Sequence, residues 1–297
     1  MDIGLSTYSL EPLLRSGALS LEVAIDRAAA MGAQVLELVP FSFRFTDPQG
    51  GGIDADKIRR TRKRAADAGI KLCNYSVGAN LLQDADGRKA ETARLRREVE
   101  VAAELGLPRM RHDVGGFEAP HDQYTPEMLE RVLPGVADAV SEISLYAKGL
   151  GVRTLLENHG FLFNGTAPVT RLLDAVKTGN YGLLLDTGNA ACVDEDPQAF
   201  VEALAARCEM AHLKDFHFGD AADGGLPGGS HWFLSRGGRP LRGAVLGGGG
   251  LDVRAAVKAL KRAGYAGSVA IEFEGPEEPL AACEKSLRFA REALDNA

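Results

Sequence analysis

Four short apolar runs in this chain each end in a residue that can bind a metal or move a proton. They are Leu155-Leu156-Glu157-Asn158-His159, Leu183-Leu184-Leu185-Asp186-Thr187-Gly188-Asn189, Met210-Ala211-His212-Leu213-Lys214-Asp215 and Val269-Ala270-Ile271-Glu272-Phe273-Glu274. Runs this short, bounded by turn residues, read as strands buried on both faces. A carboxylate or imidazole at the exit of such a strand has no packing reason to be there. Glu157 precedes Asp186 by 29 residues, Asp186 precedes His212 by 26, and Glu272 follows His212 by 60. The first two spacings match one strand–helix unit. The third matches one unit plus an insertion.

Adjacent strands sit about 4.8 Å apart, so four consecutive strand ends can bring their side chains to one point. Three bare carboxylates gathered there would repel and raise one another's pKa, and a divalent cation removes that cost. Three oxygens and one imidazole suit one borderline-hard ion, Mn²⁺ first, with Mg²⁺ or Co²⁺ as substitutes. A salt-bridged rim with no metal is the alternative. Such an ion, chelating a carbonyl and an adjacent hydroxyl, acidifies the C–H between them and stabilises an enediolate. Carboxylates on opposite faces of that carbon can then take a proton off and put it back. With a leaving group one carbon further along, the same enediolate eliminates instead. Isomerase, epimerase and lyase share one set of residues.

The elements that must position these side chains alternate from end to end. Strands are expected near residues 2–6, 34–39, 70–77, 109–114, 152–157, 181–186, 209–214 and 268–273. Helices are expected near 20–31, 54–68, 87–105, 126–150, 169–178, 197–207, 252–263 and 278–294. Ser20 is the expected N-cap of the first helix. Gly32, Gly69, Gly106, Gly151 and Gly264 each stop a helix just before the next strand. Eight alternations in 297 residues predict one α/β domain, 1–297, folded as a single (β/α)8 TIM barrel. In such a barrel the active site lies at the carboxyl ends of the strands, where Glu157, Asp186, His212 and Glu272 fall. No Gly-x-Gly-x-x-Gly follows the first strand, which weakens a nucleotide-binding alternative.

Residues 216–250, a glycine-rich loop after strand seven, break the rhythm. They hold 12 of the chain's 35 glycines and its only tryptophan, Trp232. No helix or strand is legible there. A segment this long without secondary structure is expected to be functional, a mobile lid whose Trp232 closes over substrate. Several residues are weaker substrate-binding candidates. His159 and Lys214 lie two residues beyond Glu157 and His212 and so share their strand faces. His159 can serve substrate or the ligands behind it, and Lys214 can hold a substrate oxygen or pair with Glu274. His112 and Glu37 end strands four and two. Arg242 can read a phosphate or carboxylate, or anchor the loop. The run 247–250 before a helix can cradle a phosphate.

Composition bounds the rest. Hydrophobic residues make up 45% and charged residues 25%, ordinary for a globular protein with a large core. A net charge of −7 argues against a nucleic-acid partner, and the basic run Arg59-Arg60-Thr61-Arg62-Lys63-Arg64 reads as a solvated helix face. Cys73, Cys192, Cys208 and Cys283 show no CxxC spacing, so reduced thiols in a cytoplasmic protein are expected. Neither a secretory leader nor a stretch of about 20 apolar residues is present, so no membrane partner is expected. A small carbohydrate or polyol is the expected partner, and a homo-oligomer is allowed.

The motifs Leu-Glu-Asn-His-Gly, Leu-Asp-Thr-Gly-Asn, His-Leu-Lys-Asp and Ile-Glu-Phe-Glu resemble those of the xylose isomerase-like barrel superfamily over essentially the whole chain. The branch they resemble is its sugar isomerase/epimerase group, with ketose 3-epimerases, inosose isomerases and inosose dehydratases. The resemblance implies that Glu157 and Glu272 are both metal ligands and the acid/base pair, with Asp186 and His212 completing the site. It implies an isomerase or epimerase acting on a sugar or keto-polyol. The alternative is a lyase, dehydrating an inosose or cleaving a 3-keto-glycoside. Asn189 stands where ketose epimerases carry histidine, which argues against a simple ketose. The superfamily's three-metal endonuclease branch needs more histidines than this chain supplies.

Overall fold

The computed structural model describes residues 1–46, 52–116, 121–220 and 226–297. Eight parallel strands close a barrel: β1 (Asp2–Ser6), β2 (Val35–Leu38), β3 (Lys71–Val77), β4 (Arg109–His112), β5 (Arg153–Glu157), β6 (Tyr181–Asp186), β7 (Cys208–Leu213) and β11 (Ser268–Ile271). They pair in sequence order around the ring, and β11 closes on β1. The fold is the TIM barrel that the alternation predicts.

Strand parity explains where the chemistry sits. Val35, Cys73, Leu155, Leu184, Met210 and Ala270 form a fully buried plug inside the barrel. Two residues beyond Val35, Leu155, Leu184, Met210 and Ala270 come Glu37, Glu157, Asp186, His212 and Glu272. Period-two geometry points these five to the same interior, one layer nearer the carboxyl end. On β3, a register shift opposite Leu36 and Glu37 turns Asn74 and Ser76 inward instead. The apolar plug is therefore the floor beneath the polar layer.

The barrel is wrapped by helices α2 (Leu21–Ala30), α3 (Ala55–Asp67), α4 (Ala85–Glu104), α5 (Pro126–Gly149), α6 (Thr166–Ala175), α7 (Pro197–Leu204), α8 (Val253–Arg262) and α9 (Pro279–Asp295). A short helix, α1 (Glu11–Arg15), follows β1 and was not legible in the sequence. Ser20 caps α2 by accepting from Val23 N. The five helix-stopping glycines have φ between 70° and 81°, the left-handed cap conformation that only glycine adopts without strain. The basic run lies on α3 with every charged residue exposed. The four cysteines are free, and Cys208 alone is not fully buried. Among the described residues no helix is long and apolar enough to cross a membrane.

The insertion differs from expectation. Among the described residues of 216–250 there is a three-stranded antiparallel sheet, β8 (Phe216–Phe218), β9 (Phe233–Leu234) and β10 (Pro240–Gly243), in the order β8-β10-β9. The glycines therefore do not leave its described residues structureless. Pairing of Leu241 with Phe218 and of Leu241 with Phe233 ties together positions too far apart, in strands too short, to give a periodic signal.

Candidate metal centre

Glu157, Asp186, His212 and Glu272 each bring one ligand atom into a cluster whose members lie within 4.8 Å of one another. His212 Nδ1 stands 3.6 Å from Glu157 Oε1, 3.8 Å from Asp186 Oδ2 and 3.5 Å from Glu272 Oε1. Asp186 and His212 are fully buried, whereas the Glu272 side chain is 11% exposed, so a ligand reaches the cluster from the Glu272 side. Asp186 Oδ2 and His212 Nδ1 are buried without a hydrogen-bond partner. Leaving such groups unsatisfied is costly, and a cation between them satisfies both. The donor set and these facing atoms fit one divalent ion.

The surrounding contacts fix each member. Asp186 Oδ1 accepts from Gly188 N and Asn189 N, both at 2.7 Å, which leaves Oδ2 aimed at the cluster. Asn158 clamps the end of β6 with bonds to Asp186 N and O. Glu37 Oε2 lies 2.9 Å from His212 Nε2, and Glu37 Oε1 accepts from Asn74 and Ser76. With a proton on Nε2, His212 turns its Nδ1 lone pair to the cluster, the carboxylate–imidazole arrangement common behind metal-binding histidines. Arg111 Nε is 2.6 Å from Glu157 Oε2, an ion contact off the N–H direction, and Arg111 Nη2 pairs with Asp113 at 2.6 Å. Lys214 Nζ is 3.0 Å from both Glu272 Oε2 and Asn189 Oδ1. Asn189 also donates to Glu157 Oε1 at 3.0 Å.

Charge in this layer is therefore shared. Burial works to keep Glu272 protonated, but Lys214, His212 and Arg111 outweigh it and hold its pKa near about 2. Asp186 goes the other way: burial, aided by Glu157 and Glu272 and opposed by Lys214, pushes it up to about 6. Burial disfavours the charges on Lys214 and His212, yet neighbouring carboxylates raise both well above their ordinary ranges. Arg111 is likewise raised, by Asp113 and Glu157 against burial.

The structure gathers the four expected ligands and places Lys214 with them. Lys214 pairs with Glu274 at 3.8 Å, as expected, and lies nearer still to Glu272 and Asn189. His159 sits at the rim, its Nδ1 2.9 Å from Asp113, which keeps its imidazole charged more readily than usual against the effect of burial. Two expectations need correction. Glu37 does not reach the cavity as a substrate contact; it is fully buried behind His212. His112 points out of the barrel because Arg111 points in, and it stacks on Tyr181 at 6.1 Å with no exposed surface. Arg242 stacks over the Trp232 ring at 4.7 Å and makes no ion pair among the described residues. Trp232 is half-buried in the insertion, beside Gly219 and Gly229.

The glycine run does form an anion cradle, but the chain fills it. Asp215 Oδ2 accepts from Gly247 N and Gly249 N, and Oδ1 from Phe216 N and Leu251 N. A phosphate site there is excluded by Asp215 itself. Sequence reasoning missed Arg111, Asp113 and the bridging role of Asn189. A signal was present in Arg109-Met110-Arg111, since an arginine mid-strand in a buried barrel needs an internal partner.

A closed parallel barrel with a buried acid–imidazole cluster at its carboxyl end defines a class of (β/α)8 proteins built around a metal-competent mouth. The family described as Xylose isomerase-like TIM barrel matches residues 25–293, and the chain belongs to it. A 3-oxo-isoapionate decarboxylase of Pectobacterium atrosepticum is 26% identical over 222 residues, 73% of this chain and 70% of that enzyme. An inosose dehydratase of Serratia proteamaculans is 30% identical over 164 residues, which is 53% of this chain and 54% of the dehydratase. A D-psicose 3-epimerase from Clostridium cellulolyticum H10, solved with D-tagatose, superposes with a TM-score of 0.74 over 99% of both chains at 16% identity. The IolI protein with a bound zinc atom gives 0.73 over 100% of this chain and 99% of its own, also at 16%. At those identities the solved structures speak to the fold alone.

Proposed function

We propose that this chain is a divalent-metal-dependent lyase acting on a keto-polyol or 3-oxo sugar. The observation that carries the reading is Lys214, whose ammonium lies 3.0 Å from Glu272 Oε2 and lines the cavity in front of the cluster. An ion held by Glu157, Asp186, His212 and Glu272 would polarise a substrate carbonyl and ease formation of its enolate. An epimerase needs two groups of comparable basicity on opposite faces of one carbon. Here Glu272 meets the Lys214 ammonium, which lines the cavity, whereas the Arg111 that pairs with Glu157 is buried and does not line it. Lys214 is instead the proton donor on that face, and Glu157, held by Arg111 and Asn189, is the carboxylate left to act as base.

In an elimination, Glu157 takes the proton next to the carbonyl, the electron pair forms the carbon–carbon double bond, and the bond to the β-oxygen breaks. Lys214 gives its proton to the departing oxygen. In a decarboxylation the carbon–carbon bond to the carboxylate breaks, carbon dioxide leaves, and the same proton goes to the carbon left behind. The names of the two curated relatives, a decarboxylase and a dehydratase, agree with such chemistry.

A second reading, isomerase or epimerase, is favoured by one feature: Glu157 and Glu272 converge on the same cluster. Incubation of the Mn²⁺-loaded protein in D₂O with ketoses, inososes, 3-keto-glycosides and 3-oxo sugar acids separates the two. The lyase reading expects loss of water, an alcohol or carbon dioxide. Deuterium entering an otherwise unchanged substrate or its isomer, with no fragment lost, would sink it.

A further inference from the structure

Resting on the reading that a keto sugar is handled at the metal centre, we propose that the substrate carries an aromatic aglycone seated between the insertion and the β5–α6 loop. A cavity of about 660 Å³ adjoins the centre through Asn189 and Lys214, which contact Glu157 and Glu272, and its polar lining also includes His159 and Glu274. Its size falls among sites for drug-sized ligands. The rest of the lining is largely apolar: Phe161 and Cys192 from the barrel loops, and Trp232, Phe233 and Leu234 from the insertion beside His231. A bare polyol carries a hydroxyl on nearly every carbon and would bury several of them against this wall without partners, which is costly. A molecule with a hydroxylated ring at one end and an apolar ring at the other meets both sides.

Two ring contacts brace this wall. Arg242 holds the Trp232 ring from one face at 4.7 Å, and Phe233 packs edge-on to the buried Phe216 at 5.7 Å. Aromatic rings in such surroundings favour offset and edge-on partners of their own kind. Leu234 remains 37% exposed, so the open end of the cavity still presents apolar surface to whatever enters.

The test uses two glycosides that carry no ketone and so do not react, phenyl and methyl β-D-glucopyranoside, titrated calorimetrically into the Mn²⁺-loaded protein. The phenyl glycoside is expected to bind at least tenfold more tightly and to change the emission of Trp232, the sole tryptophan. Leu234→Asp and Trp232→Ala are each expected to reduce that preference below threefold, with Mn²⁺ content as the check on folding. Equal affinities, no measurable binding of either glycoside at millimolar concentration, or a preference that survives both substitutions overturns the proposal. Lyase turnover without a phenyl preference overturns this proposal alone. A phenyl preference, together with no fragment released from any keto substrate in the D₂O assay, keeps it and removes the lyase reading.

Discussion

Asp186 in the buried cluster and Trp232 in the insertion are held in opposite ways. Asp186 is fixed by its own strand end: two backbone amides take one oxygen, Asn158 clamps the main chain from β5, and the other oxygen is left to the cluster. Trp232 precedes a two-residue strand and depends on ring stacking and van der Waals contact within the insertion. Directional bonds set the first position, and non-directional packing the second. The centre should therefore respond to single-atom changes and the wall to changes of bulk.

Substitutions test that contrast, and the largest effect is expected at Glu157. Glu157→Gln keeps an oxygen for the metal but cannot take a proton, so turnover should fall about 10²–10⁴-fold with Mn²⁺ still bound. Single-turnover assays beside elemental analysis decide it, and near-normal turnover would place the base elsewhere. Next comes Glu37→Gln, which alters no cluster atom yet weakens the carboxylate behind His212. Mn²⁺ affinity should drop about 10–100-fold, read by competition with a metallochromic dye; unchanged affinity would show that the buried carboxylate serves packing alone.

Protons should compete with the ion at Asp186. In the metal-free protein its pKa lies above the ordinary 3.8, at about 6. A raised carboxyl stabilises the fold in acid and loses that contribution as pH climbs from 3.8 to about 6. Metal binding needs Asp186 ionised and His212 free of its proton on Nδ1, so Mn²⁺ affinity should rise about tenfold or more per pH unit across the same window. It should keep rising above that window, because the carboxylates around His212 raise its pKa well above the ordinary range. An affinity independent of pH between 4 and 6 would remove Asp186 as the group that gives up its proton. The smallest effect is expected at the neck of the insertion. Asp215→Asn keeps one acceptor oxygen but loses charge-assisted bonds to the glycine amides, costing about 2 kcal/mol and about 4 °C in Tm. Metal content should not change, and calorimetry with elemental analysis reads both.

The barrel and its four expected ligands were legible because both rest on local signals. Glycine stops and apolar runs mark each strand, and an acid at the end of such a run contradicts packing. Orientation was legible only where one inward residue was already known. On β4 no ligand candidate set the parity, so His112 was favoured and Arg111 overlooked, although neighbouring residues on a strand must face opposite ways. Glu37 was seen but misplaced, since nothing local to β2 shows that His212, 175 residues away, stands beside it. The insertion was misread for a related reason. Its pairs join segments of three, two and four residues, and glycine content speaks to chain entropy without revealing such partners.

Asp215 gives the insertion a narrow neck. By gripping amides at both Phe216 and Leu251, one carboxylate closes the segment's entry and exit onto the same strand end. Whatever lies between can then be lengthened, shortened or recomposed without moving His212, three residues upstream. In evolutionary terms the barrel can keep its metal chemistry constant while the segment is exchanged as a cassette. Relatives sharing the cluster and the neck would then differ in what they accept through the residues between them.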